Sequence, residues 1–184
     1  MTTLKAAMFI AAIALSALPA SAQMKRVSPH ETIQLNMNAD QNRVTIVYGR
    51  PYAMKPGTTE TRKIWGTLVP YGKVWRLGSD EATLLITQKP LSMGGVTIPA
   101  GAYSLYMLPV ETGVSKLIIN KAIGQWGLSY DEKQDLGRVD LKKDSIEKPV
   151  DEFTIALDRN PGGGGILKLS WETTQFSVPF TVAK

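Results

Sequence analysis

Leu167-Lys-Leu-Ser-Trp-Glu-Thr-Thr-Gln-Phe-Ser-Val-Pro-Phe-Thr-Val182 decides the fold. It carries two runs of alternating apolar residues: Leu167, Leu169 and Trp171, then Phe176, Val178, Phe180 and Val182. Period-two alternation rich in β-branched and aromatic residues marks a strand with one buried face. The same pattern recurs upstream. Val44, Ile46 and Tyr48 alternate with Thr45 and Val47, and Tyr103, Leu105 and Met107 with Ser104 and Tyr106; Phe153, Ile155 and Leu157 form a further set. Residues 82–87 and 116–120 alternate less and read as central strands.

Turn residues separate these runs at Met93-Gly-Gly, Ile98-Pro-Ala-Gly101 and Asn160-Pro-Gly-Gly-Gly-Gly165. Short strands with frequent turns predict an all-β fold, an antiparallel β-sandwich or jelly-roll-like barrel. The only helical candidates are short, at residues 59–68 and 131–134. Pro179 cannot donate to a ladder, which suggests that the last strand runs at an edge. The glycine run reads as a flexible hairpin tip rather than a phosphate cradle, because no helix start follows it. No linker or internal repeat interrupts the pattern, so residues 23–184 are expected to form a single β domain.

Residues 1–22 read as a signal peptide. One charge, Lys5, precedes an apolar run over residues 6–18, and Pro19-Ala-Ser-Ala22 supplies a small-x-small cleavage site before Gln23. The run is shorter than the ~20 residues that cross a bilayer. The expected location is therefore the periplasm or the exterior, with no stable membrane insertion after cleavage. The chain has no Cys, which excludes disulfides, thiol catalysis and Cys-ligated metals. The formal charge is +5. Between Arg50 and Glu81 six basic residues face three acidic ones, so much of the excess sits there. For an exported chain this points to an anionic small molecule, an acidic glycan or an anionic membrane surface rather than nucleic acid.

That basic region includes the densest aromatic stretch, Lys63-Ile-Trp-Gly-Thr-Leu-Val-Pro-Tyr-Gly-Lys-Val-Trp-Arg-Leu-Gly-Ser-Asp-Glu-Ala-Thr83. Trp65, Tyr71, Trp75, Tyr103, Trp126 and Tyr130 are candidates to line a groove by stacking, while Arg50 and Arg76 hold a carboxylate or phosphate. Glycine in Trp65-Gly66 and Trp126-Gly127 allows a tight turn that leaves a large ring at a rim. Trp171 continues the Leu167–Leu169 face and reads as core. Asp80 and Glu81 complete the candidate binding set. They are adjacent, so in a strand they would face opposite ways and cannot themselves form a catalytic pair.

The catalytic inventory is thin. A glycoside hydrolase needs two opposed carboxylates, and Asp80, Glu81, Asp131, Glu132 and Glu172 are available, with Glu81 or Asp131 as the alternative catalytic residues. The plainer reading has Glu81 held by Arg76 or Arg50. His30, the only histidine, lies beside Pro29 near the new N-terminus, where chains are often loose, which argues against a Ser-His-Asp triad. One His and no Cys argue against zinc, so no metal and no cofactor are expected.

Several motifs occur in a familiar order: Tyr48-Gly-Arg-Pro51, Arg62-Lys-Ile-Trp-Gly66, Leu68-Val-Pro-Tyr-Gly72, Val74-Trp-Arg76, Gly78 with Asp80-Glu-Ala-Thr83, Pro99-Ala-Gly-Ala-Tyr-Ser-Leu105, Asn120-Lys121 with Gly124-Gln-Trp-Gly127, and Leu169-Ser-Trp-Glu172. Together they resemble the bacterial family called domain of unknown function 2911, over about residues 28–182. The resemblance implies an exported single-domain protein and supplies no reaction. Where this chain has Asp80 the family commonly has Asn.

The expectation is a β-sandwich that binds a small or oligomeric ligand, anionic or glycan-like, without turning it over. The alternatives are a glycan-acting hydrolase, or a structural module of an envelope assembly. The hydrolase predicts two carboxylates opposed across one cleft, and the structural module predicts a flat apolar patch in place of a pocket.

Overall fold

Ten strands follow one another in the computed structural model, which describes residues 28–183. The expected leader, residues 1–22, lies outside the described residues. The strands are β1 (His30–Met37), β2 (Asn42–Gly49), β3 (Thr83–Thr87), β4 (Leu91–Met93), β5 (Val96–Ile98), β6 (Gly101–Leu108), β7 (Lys116–Asn120), β8 (Asp135–Asp140), β9 (Lys142–Arg159) and β10 (Gly165–Val182). They form two antiparallel sheets, β1-β2-β3-β6-β7-β8 and β5-β4-β10-β9, neither closed into a barrel. Of the two expected architectures the sandwich is therefore the one observed. Residues 82–87 and 116–120 supply the internal strands β3 and β7, as their weak alternation suggested. No helix among the described residues is long and apolar enough to cross a membrane.

The core lies between the inward faces of the sheets. Val44, Ile46 and Tyr48 of β2 and Leu105 and Met107 of β6 meet Phe153 and Ile155 of β9 and Leu167, Leu169 and Trp171 of β10. Tyr106 and Ile118 point the other way and form a small second cluster, against which Val74 and Tyr130 pack.

β10 explains why the sequence pattern shifts parity after Trp171. Eighteen residues at ~3.3 Å each would make a rod of about 60 Å. Instead, a Cβ at Gly165 would strike the ring of Phe180, fifteen positions away, so the strand doubles back. The bend is at Glu172, whose φ of 51° is left-handed, between register shifts at Ser170/Glu172 and Glu172/Thr174. The irregularity flips the side-chain alternation, so Trp171 and Phe176 both face the core.

Two expectations need correction. Pro179 does not mark an edge strand, because β10 lies between β4 and β9. β10 pairs with β9 as far as Ser177 and with β4 from Phe180, so Pro179 sits in the gap between partners. The ladder asks nothing of it there. Residues 59–68 are not helical: Gly66 has φ 81°, and bridges join Met54 to Thr61 and Trp65 to Val69. Burying both Ile64 and Val69 folds this segment into turns. Residues 131–134 do form one 3-10 turn, Glu132–Gln134, with the Asp131 carboxylate accepting from Lys133 N–H. A second such turn, Asn38–Asp40, joins β1 to β2.

The end of the glycine run is packed rather than free. A Cβ at Gly164 (φ 77°) would press on the Phe180 carbonyl and lie 2.8 Å from Thr181 Cα, whereas one at Gly163 (φ 99°) would meet nothing. Gly163→Ala is expected to cost about 1 kcal/mol, from backbone conformation alone. Gly164→Ala adds a backbone collision and is expected to cost about 3 kcal/mol or more. Thermal melts of the two variants measure the difference; equal Tm values would mean that β10 does not close on itself.

Candidate functional site

Between β2 and β3 the chain makes a 33-residue connection, residues 50–82. Connections of that length without regular structure are uncommon in compact domains unless they carry function. This one is tightly held. Ala53 N–H donates to Asp151 O at 2.7 Å and Phe153 N–H to Pro51 O at 2.9 Å, fixing its start to β9. Trp75 and Met107 exchange both backbone hydrogen bonds at 2.8 Å, fixing its middle to β6. The connection thus joins one sheet to the other. Beyond Trp75 it is strained: Leu77 (φ 55°) and Asp80 (φ 64°) are both left-handed, at ~1–3 kcal/mol for a non-glycine residue. Leu77 is held there by complete burial and by Thr83 Oγ1, which donates to its carbonyl at 2.7 Å. Asp, like Asn, tolerates the conformation better than Leu does.

Against this segment lies a cavity of about 660 Å³. Its wall includes Trp75 and Trp171, whose rings stack at 5.7 Å and 19°, together with Val69 and Pro70. Arg62, Lys73 and Arg76 bring positive charge to it, and Asp80 is the one carboxylate of the wall among the described residues. Gly127, Leu128 and Tyr130 complete it from the β7–β8 connection. No ion pair among the described residues engages Arg62, Lys73 or Arg76. Arg62 donates to the Tyr52 and Ala53 carbonyls, and Arg76 Nε to Gly78 O at 3.3 Å, so backbone orients both guanidinium groups without neutralising them.

Of the residues singled out from sequence, Trp75, Arg76, Asp80 and Tyr130 meet on this wall. The others take supporting places. Arg50 is a clamp: it reaches Glu31 on β1 at 3.3 Å, Glu152 on β9 at 3.1 Å, and Thr154 Oγ1 at 3.0 Å. Trp65 packs edge-on against Trp75, Trp171 and Phe176 within the core. Tyr71 lies over Gly66, where a Cβ would sit 2.8 Å from its ring. Trp126 stands behind the wall with its ring 5.9 Å from the Arg76 guanidinium carbon, a cation–π contact. A Cβ at Gly127 would lie 2.7 Å from Arg76 Cβ. Both Trp-Gly pairs are thus explained by a neighbouring side chain lying on the glycine. Tyr103 is buried in the core, and Asp131 serves as the turn cap described above.

His30 is fixed, contrary to the expectation of a loose terminus. It opens β1 opposite Gly49, and its Nε2 lies 3.3 Å from Glu81 Oε2 and 3.6 Å from Asp80 Oδ2. Glu81 therefore has an imidazole beside it where an arginine was anticipated. A Ser-His-acid relay needs nucleophile and acid on different ring nitrogens. Here both carboxylates address Nε2, and the buried Ser79 Oγ has no hydrogen-bond partner among the described residues. The cluster anchors the strained loop and assembles no triad.

Arg62, Lys73, Leu68 and Leu128 were not singled out from sequence. The charge count over the connection was the available signal for the two cations. Nothing local marks the leucines, since only the fold brings residues 68 and 128 to one cavity.

Tyr130 ties the wall to β8. Its hydroxyl donates to Asp135 Oδ2 at 2.7 Å and accepts from Arg138 at 3.1 Å. Burial, then the bond to Asp135, pushes its phenol up to about 12. Burial also raises Tyr48 and Tyr106. Each folded phenol then ionises above the ordinary value of 10.0, so its contribution to stability is complete below that pH and is lost as pH rises through the folded value. Stability is expected to fall steeply from about pH 10 to 12, with Tyr130→Phe flattening part of the fall. Chemical denaturation across that range, followed alongside phenolate absorbance, measures it; a flat profile would contradict the buried phenols.

Comparison with curated proteins and with solved structures finds no match to this chain. A family model matches residues 28–180, from just before β1 to within β10, and that span takes in every residue of the cavity wall named above. The chain belongs to the family described as Protein of unknown function (DUF2911).

Proposed function

We propose that this chain is an exported binding protein that holds a small or oligomeric anionic ligand in the cavity between the β2–β3 and β7–β8 connections. One observation carries the reading: Arg62, Lys73 and Arg76 reach a single wall, and no ion pair among the described residues engages any of them. Like charges gathered on one wall repel one another, and a bound carboxylate or phosphate offsets that repulsion through charge-assisted hydrogen bonds. Beside the cations, half-buried Trp75, backed by the buried Trp171, supplies an apolar surface for the rest of the ligand. Export rests on the leader pattern in residues 1–22. A glycan hydrolase needs two carboxylates across the cleft, ~5–9 Å apart, and Asp80 is the wall's one carboxylate among the described residues.

The test is native mass spectrometry of protein purified from the periplasm, followed by titration of the stripped protein with whatever anion is retained. Lys73→Ala and Arg76→Gln are each expected to weaken that anion about tenfold while the melt stays cooperative. Asp80→Asn is expected to tighten it a few-fold, roughly two to five, because it removes the opposing charge from the wall and Asn suits a left-handed position. Unchanged affinity in all three variants would remove the site from this cavity.

A further inference from the structure

We infer that the ligand is an amphipathic acid: a carboxylate or phosphate head on an apolar body, and not a saccharide. This rests on the anion-binding reading and narrows it to a ligand class. The first ground is the rim. Leu128 is 78% exposed and Leu68 42% exposed, among the largest apolar side chains left in solvent, and both belong to the cavity wall. Single exposed leucines are ordinary, but two on the wall of one cavity make an apolar approach to it. The second ground is the interior. Half-buried Val74 and Trp75, backed by the buried Val69 and Trp171, continue that apolar surface inward.

The third ground is the polar inventory. Sugar hydroxyls both donate and accept, so a saccharide site pairs donors with fixed acceptors, chiefly carboxylate and amide oxygens. The wall has no Asn or Gln among the described residues, and its single carboxylate, Asp80, has one oxygen buried towards His30. Arg62, Lys73 and Arg76 donate only, which suits an acceptor-rich anion and serves a hydroxyl ring poorly. About 660 Å³ is a volume that takes a molecule well beyond a bare phosphate.

Four probes separate these terms by calorimetry on the mature protein: decanoate, decanol, inorganic phosphate and glucuronate. Decanoate is expected to bind one to one, about tenfold or more tighter than each of the other three. Leu128→Ser is expected to weaken decanoate about fivefold to tenfold and to leave phosphate unchanged, with an unaltered melt because the side chain is exposed. Lys73→Ala is expected to weaken decanoate and phosphate alike. Glucuronate or phosphate binding as tightly as decanoate, with sensitivity to Lys73→Ala, would overturn the amphipathic ligand and leave the anion site standing. Decanol matching decanoate, or no binding by any of the three anions, would overturn the anion site itself.

Discussion

The stack of Trp75 on Trp171 is the contact on which the rest of this structure leans. One ring comes from the long β2–β3 connection and the other from the bend of β10, so the pair joins the least regular segment of the chain to the most bent strand. Phe153 closes on both rings, at 4.9 Å from Trp75 and 5.6 Å from Trp171, and Trp65 meets both edge-on. Trp171 Nε1 donates to Asp151 O at 2.9 Å, so its polar edge is satisfied in the same place where β9 receives the connection. Aromatic pairs in these geometries contribute ~0.5–1.5 kcal/mol each beyond their buried area. With buried Ile64, Val69 and Leu77, this cluster gives the connection its hydrophobic reason to lie down, and Trp75 and Trp171 give the cavity one side of its wall.

The site is thus built by structural elements as much as from functional ones. Arg50 is an example: its charge is consumed by Glu31 and Glu152, so it fastens β1 to β9 and offers nothing to a ligand. Arg76 differs only in its surroundings. It has a tryptophan face and a backbone carbonyl for company, neither of which cancels its charge. Two arginines in one aromatic-rich region differ in charge balance because one met carboxylates and the other did not.

That distinction sets the limit of what could be read from the chain. Strands are local in their signal, and the alternating runs from Val44 to Val182 state the sheets directly. Trp171 as core followed from the face it shares with Leu167 and Leu169. The bend of β10 was written in the change from odd to even apolar positions between Trp171 and Phe176, although its cause lies in the register with β9. Pro179 misled because an edge and a gap between two partners make the same demand on a backbone N–H. His30 was misjudged because its partners lie fifty residues away. The wall was half legible: Trp75, Arg76, Asp80 and Tyr130 stood out by residue type, whereas Trp65 packs into the core and Tyr71 lies over Gly66. Which aromatic turns to a cavity is decided by tertiary packing, and a single sequence carries no record of that.

The packed tip of the β9–β10 hairpin also bears on how the chain reaches this state. β9 and β10 are joined by five residues, 160–164, and Gly164 and Gly165 then dock on Phe180 of the same strand. All of these contacts close loops of fewer than about twenty residues, whose entropy cost is low. The β2–β3 pairing must instead close a loop of 33 residues, and β10 joins β4 across more than eighty. Low contact order favours early formation, so the curled hairpin is the natural template and the aromatic connection the late arrival. The cavity is then a product of the last docking step, completed only when the connection lies down on a surface the hairpin has already made.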